Sequence, residues 1–326
     1  MTRIISEADV RKVVTFDRLV PAVEAAFVAL QRGQAQLPAM MHFDFPEVEG
    51  EVHAKGAYLT GDSRFVIKVA SGFYRNPAVG LPSNSGLVLA FSSETGQLDT
   101  IILDNGYLTE VRTAAAGAVA AKHLAHRPVD KVALIGAGSQ SGYQLAALLT
   151  VCNPTSVAVW SRTATSAERF IAARQGQLPV KLAACKSVAE TVDGADLVVT
   201  ATPSRQPLVQ LSWLATGAHV TAVGADVPTK QELEPAVLGR ADLVVVDNLA
   251  QCLDSGELHH AVDAGAIDPS AVVELGAVLA GDLPGRNAYE NLTVCDLTGV
   301  GVQDAAAASV ALEELDGMGT TGIRAE

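Results

Sequence analysis

Two cations and one carboxylate stand where their surroundings invite chemistry. In RFVIKVASGF, Phe65, Ile67 and Val69 fall on one face of a strand, and Val66, Lys68 and Ala70 on the other. Lys68 therefore projects from a largely apolar run, and it either reaches out to solvent or anchors a ligand anion. Arg112, beside Thr113, opens the Ala-rich segment TEVRTAAAGAVAAKHLA. A guanidinium there can grip a carboxylate through two parallel N–H bonds, although a plain helix-surface arginine is the competing reading. Asp226, in TAVGADVPTK, follows an apolar run and ends a predicted strand. It either faces a ligand at the carboxyl edge of a parallel sheet or caps a helix beginning at Pro228.

A second constellation reads as a dinucleotide site. KVALIGAGSQSGYQLAALL presents Gly136, Gly138 and Ser141 as G-x-G-x-x-S, directly after an apolar strand and directly before an apolar helix. Gly136 permits the tight turn and Gly138 lets the backbone approach a pyrophosphate. The helix from Ser139 and Gln140 onward aims its free N–H groups at that charge. The place where a ribose-binding carboxylate is expected reads Trp160, Ser161, Arg162, Thr163. Arg162 between two hydroxyls suits a 2′-phosphate, which leans toward NADPH.

These residues need elements to hold them. Val20, Val23, Phe27 and Leu30 recur at three- and four-residue steps and predict an amphipathic helix over 15–32. From 52 to about 103, short apolar runs broken by Gly, Asn, Pro and Ser predict a mostly antiparallel sheet. The Ala-rich segment is a helix leading out of it. Beyond it, KVALIGAG, SVAVWSR, ADLVVTATP, HVTAVGAD and ADLVVVD alternate with helical stretches, the pattern of a doubly wound parallel sheet. DAAAASVALEELDG forms a last helix that can return to the first domain. The fold class is α/β: a doubly wound Rossmann domain plus a smaller β-rich domain.

Composition narrows the partners. The 326 residues are 49% hydrophobic and 18% charged, enough for two ordinary cores without a disorder signature. A net charge of -13 opposes binding to nucleic acid or anionic membranes. Cys152, Cys185, Cys252 and Cys295 lie far apart without a CxxC pair, and Cys252, His259 and His260 lack metal-site spacing, so no metal and no disulfide framework is expected. The charged amino terminus is no signal peptide, and no apolar run is long enough to span a bilayer. A cytoplasmic protein is expected.

Taken together, IKV-x-SG, DNGYLTEVRTAAAGAVAA, GAGSQ, VVTATP, VGAD-x-P-x-K and GELHH resemble the ornithine cyclodeaminase/mu-crystallin superfamily over most of the chain. The branch most similar is that of ectoine utilisation and iminosuccinate reduction. The resemblance implies a homodimer and a nicotinamide cofactor, with residues 1–120, rejoined by 304–326, as substrate-binding and dimerisation domain and 121–303 as Rossmann domain. It makes Lys68 and Arg112 ligands of the substrate α-carboxylate, with Lys68 also a proton donor, and Asp226 the acid/base beside the reacting nitrogen. Thr200, Ala201 and Thr202 line the adenine and pyrophosphate side, while Val223 and Gly224 approach the nicotinamide.

Two positions depart from the family pattern. Lys55 stands where cyclodeaminases carry a glutamate for the amino end of ornithine, and His42 stands where a carboxylate-binding arginine is usual. Lys55, Lys68, Arg112 and His42 suit a dicarboxylic imino acid better than a diamino acid, because like charges repel. The expected reaction is reduction of iminosuccinate to aspartate, with NADH preferred from the branch resemblance. The alternatives are an ornithine or 2,4-diaminobutyrate cyclodeaminase using NAD+ catalytically, and a mu-crystallin-like ligand-binding protein.

Overall fold

In the computed structural model, which describes residues 2–318 and 323–325, the chain divides into two compact units, Met1–Arg112 with Val300–Glu326, and Thr113–Gly299. The boundaries that the resemblance implies, at 120/121 and 303/304, lie eight and four residues beyond these, and helix α3 runs unbroken through the first of them.

The first unit is built on one sheet. Its strands are β1 (Thr2–Ser6), β2 (Ala35–Gln36), β3 (Met41–Phe45), β4 (Gly50–Leu59), β5 (Arg64–Phe73), β6 (Asn84–Ser92) and β7 (Leu98–Leu103). The spatial order is Ile323–Ala325, β1, β7, β6, β5, β4, β2, with β3 also paired to β4, and every pair is antiparallel except β1 with β7. Along β4, Glu51, His53, Lys55 and Ala57 are buried in alternation with more exposed neighbours, the two-residue period of a strand with one covered face. Two helices, α1 (Glu7–Val13) and α2 (Phe16–Gln31), follow β1, and α2 buries Leu19, Val20, Val23, Ala26 and Phe27. The C-terminal helix (Gly301–Gly317) packs against α2, β4 and β5. Helix α3 (Tyr107–Leu124) starts in this unit and continues into the second.

The second unit is the doubly wound sheet. Strands β8 (Lys131–Ile135), β9 (Ser156–Trp160), β10 (Lys181–Ala184), β11 (Leu197–Thr200), β12 (Arg205–Val209), β13 (His219–Ala222), β14 (Gln231–Leu233), β15 (Leu243–Val246), β16 (Val273–Glu274) and β17 (Thr293–Asp296) alternate with helices. Those used below are α4 (Ser139–Leu148), α5 (Ala164–Ala172) and, between β15 and β16, the helix Gly256–Asp263. The large sheet is parallel throughout, in the order β10-β9-β8-β11-β13-β17-β15-β16, and β12 pairs with β14 apart from it. Its central strands β11, β13 and β17 are buried at every position, as strands covered on both faces must be. Strand order reverses between β8 and β11, and such a reversal opens a ligand crevice outside the carboxyl ends of the strands. Among the described residues no helix is long and apolar enough to cross a membrane, and the four cysteines are free thiols.

Candidate active site

In the first unit, register brings the cations together. Lys55 on β4 stands directly opposite Lys68 on β5, and both are buried, at 8% and 3% exposure. The amino end of the C-terminal helix lies close on β4: a Cβ on Gly301 would come within 2.3 Å of the Gly56 carbonyl oxygen, so only glycine fits. That approach sets Asp304, in the helix's first turn, with Oδ2 3.5 Å from Lys68 Nζ. Arg112, in α3, donates from Nε to Asp304 Oδ1 at 2.8 Å and from Nη1 to Gln303 Oε1 at 2.6 Å. It is buried, so the surface-arginine reading does not apply. Two of its five N–H donors are used in this way, and Nη2 makes no hydrogen bond among the described residues.

The electrostatics of this cluster follow from burial. Lys68 is pushed down to about 7, first by loss of hydration; Asp304 opposes the shift, and Arg112 and Lys55 add to it. Burial alone would raise the Asp304 carboxyl, but the charges of Arg112, Lys68 and Lys55 outweigh it and hold the group below the usual carboxylate range. An amine poised near neutrality is able both to pair with an anion and to give up a proton.

His42 has different neighbours. It pairs with His53 across β3 and β4, their rings stack at 4.6 Å between centroids, and Glu51 lies on the same face of β4 two residues from His53.

In the second unit the Gly-rich turn joins β8 to α4. Gly136 has φ +120, its N–H donates to the Trp160 carbonyl at 2.9 Å, and a Cβ there would lie 2.6 Å from the Ala201 carbonyl oxygen. At Gly138, the N-cap of α4, a Cβ would meet nothing within 4 Å, so the backbone borders open space at the helix start. That cradle at a ten-residue helix fits a pyrophosphate. Ser139 and Gln140 form the first turn, and Gln144 ties them to the preceding helix by donating from Nε2 to Gln140 Oε1 at 3.2 Å and to the Thr113 carbonyl at 3.1 Å. Thr200 ends β11, the neighbour of β8, with Ala201 and Thr202 following it, and Val223 and Gly224 follow β13, the next strand beyond β11, so all lie at the carboxyl edge of the same sheet. Ser161, Arg162 and Thr163 follow β9; Arg162 is exposed and, among the described residues, makes no hydrogen bond or ion pair.

Glu232, which the sequence reading passed over, holds this edge. It is fully buried and accepts from Thr200 Oγ1 at 2.7 Å, from the Thr202 N–H and Oγ1 at 2.6 and 2.7 Å, and from the Gly224 N–H at 2.8 Å. Burial raises its carboxyl while these donors pull the other way. Glu257, of the GELHH segment, accepts in turn from the N–H groups of Glu232 and Leu233 at 2.7 and 2.9 Å. Asp226 is 39% exposed at its side chain and pairs with Lys230 at 2.7 Å. Residues 227–230 form a turn closed by the Lys230 N–H donating to the Val227 carbonyl at 3.1 Å, so the expected alternative of a helix starting at Pro228 is not realised.

A family model described as ornithine cyclodeaminase/mu-crystallin family matches residues 1–318. An uncharacterized cyclodeaminase of Sinorhizobium fredii is 42% identical over 96% of both chains. Among solved structures, an archaeal alanine dehydrogenase dimer with bound NAD superposes with a TM-score of 0.91 at 32% identity, covering 99% of each chain. The iminosuccinate reductase of Paracoccus denitrificans in complex with NAD+ superposes with a TM-score of 0.87 at 30% identity, covering 98% of this chain and 97% of that one. With the family model spanning nearly its whole length and these relatives sharing its architecture, the chain belongs to the ornithine cyclodeaminase/mu-crystallin family.

Proposed function

We propose that the protein is a nicotinamide-dependent imine reductase whose substrate is a dicarboxylic imino acid, with iminosuccinate reduced to aspartate. The observation that carries this reading is Lys55, a cation buried directly opposite Lys68, which with Arg112 pairs Asp304. A distal carboxylate meets an opposite charge there, whereas the second ammonium of a diamino acid meets a like one. Likeness to the Paracoccus reductase supports it. Arg112 and Lys68 hold the α-carboxylate, and Lys55 takes the distal one. Lys68 gives its proton to the imine nitrogen as the C=N bond is reduced; Asp226 is the second candidate for that proton.

The second unit is assigned the cofactor, along Gly136, Gly138, Ser139, Gln140, Thr200, Ala201, Thr202, Val223 and Gly224. When bound, the reduced nicotinamide supplies the hydride to the imine carbon. NADH is the proposed donor, on the likeness to relatives solved with NAD. Arg162, exposed and without a hydrogen bond or ion pair among the described residues, favours NADPH, and titration with both cofactors decides. A homodimer in the cytoplasm, dimerised through the first unit, completes the proposal, on the likeness to a relative solved as a dimer.

The test is nicotinamide oxidation with oxaloacetate plus ammonia, against pyruvate plus ammonia, with ornithine and NAD+ run in parallel for ammonia release. The fastest oxidation is expected with oxaloacetate, none without ammonia, and Lys55→Met should lower kcat/KM for oxaloacetate at least ~10-fold while sparing pyruvate. Preference for pyruvate, or ammonia release from ornithine without net oxidation, would overturn the Lys55 argument.

A further inference from the structure

Outside the cation cluster, β3 and β4 carry a polar group that the proposed reaction does not use. His42 and His53 face each other across the strand pair, and Glu51 shares their face. Their ligand atoms all lie within 4.8 Å of one another. His53 is 8% exposed, and its two nitrogens have unlike surroundings. Nδ1 lies 3.4 Å from Met40 Sδ, and a thioether only accepts, so a hydrogen bond there places the proton on Nδ1. In the neutral ring the lone pair is then on Nε2. That buried atom has no hydrogen-bond partner among the described residues and looks across 3.7 Å at Glu51 Oε2. An imidazole nitrogen lone pair without a donor, buried beside a carboxylate, is a place where a cation is favoured.

We propose that His42, Glu51 and His53 form a binding site for a divalent first-row transition ion, Zn2+ foremost. Two imidazoles and a carboxylate are its ordinary donor set, with water as a fourth ligand. Ligand bonds of about 2.0–2.1 Å in a tetrahedron set donor atoms roughly 3.3 Å apart, so binding draws in donors that now lie within 4.8 Å of one another and turns the exposed His42 ring out of its stack on His53. The contact to Met40 selects the tautomer the ion needs, as an outer partner does for a metal-bound histidine. The Tyr74 hydroxyl donates to Glu51 Oε1 and orients that carboxylate from the opposite side. The ion would clamp β3, which among the described residues pairs with β4 alone, onto the sheet. Sequence spacing hides the site, because residues 42 and 53 meet only through antiparallel register.

The competing cation is a proton, making His53 and Glu51 a simple ion pair, and metal titration separates the two. Full-length protein is stripped with a chelator, dialysed and titrated with ZnCl2 by calorimetry and with CoCl2 by visible absorption. One ion per chain is expected, with a rise in Tm. His42→Asn and Glu51→Gln should each weaken binding at least ~10-fold, while His259→Gln binds as wild type. His42 is exposed, so its variant tests the site even where a change at buried His53 prevents folding. Stripped wild type that takes up no ion, or a His42→Asn variant that binds as wild type does, would overturn the proposal.

Discussion

Asp304→Asn removes one charge and almost no volume, and either residue offers Arg112 Nε an acceptor at Oδ1. What changes is the field at Lys68. Unit charges 3.5 Å apart attract by about 5 kcal/mol at an effective dielectric near 20. One pKa unit corresponds to about 1.4 kcal/mol, so even if relaxation and solvent penetration remove half of that attraction, Lys68 should fall by more than about one unit. The direction is unambiguous, because burial, Arg112 and Lys55 all favour the neutral amine and Asp304 opposes them. Lysine labelled at Cε, followed by NMR across a pH titration and assigned with Lys68→Arg, reads the midpoint without a substrate. The wild type should titrate near 7 and the variant clearly lower. In activity, the proton-donating form is lost as pH rises through about 7, and the variant moves that limb of kcat/KM to lower pH. Stability runs in the opposite direction with pH. Between about 7 and the ordinary 10.5 the unfolded chain binds the proton that folded Lys68 has released, so stability rises with pH across this window, and the variant extends the window downward. A wild-type midpoint in the ordinary lysine range, or one unmoved by Asp304→Asn, would refute the reasoning.

Arg112→Lys keeps the charge but loses the planar fork, so kcat/KM for the preferred imine should drop roughly 100-fold, about 3 kcal/mol of transition-state stabilisation, in steady-state assays; near-wild-type activity would remove Arg112 from the site. Gly138→Ala should leave Tm within a few degrees yet weaken NADH binding measured by fluorescence, whereas Gly136→Ala should lower both, since its Cβ would meet the Ala201 carbonyl. Arg162→Ala should weaken NADPH about tenfold and leave NADH unchanged in the same titration; equal effects on both would dissociate Arg162 from the 2′-phosphate. Glu232→Gln places an amide NH2 against N–H and O–H donors and should cost about 1–3 kcal/mol in denaturant unfolding, with weaker cofactor binding; an unaffected midpoint would mean that Glu232 does not hold the edge.

The elements whose signals are local could be read from the sequence. Gly136 and Gly138 declare a turn and a helix start within a few residues, and the alternation around Lys68 puts it on the face with Val66, where it is buried. Apolar runs such as LVVT and HVTA announce strands covered on both sides. Asp304 was not legible as a partner, because it meets Arg112 across 192 positions and within an alanine-rich helix reads only as a favourable first-turn acid. Glu232 and Glu257 carry the same ambiguity: in KQELEP and GELHH a glutamate reads as surface charge. The signal that could have marked them is their place just past predicted strands, where a buried carboxylate can gather free N–H groups.

The order of the pieces along the chain bears on how the molecule comes into being. Residues 113–299 are contiguous, whereas the first unit needs Val300–Glu326 to close it. On the ribosome the second unit is complete before Asp304 is made, so Lys68 and Arg112 gain that carboxylate only after the second unit has been synthesised. Desolvating that group is unfavourable until Asp304 arrives, so burial of the cation cluster belongs to a folding event later than synthesis of the second unit, and the helix Gly301–Gly317 is the element that completes the charge balance of the proposed substrate site.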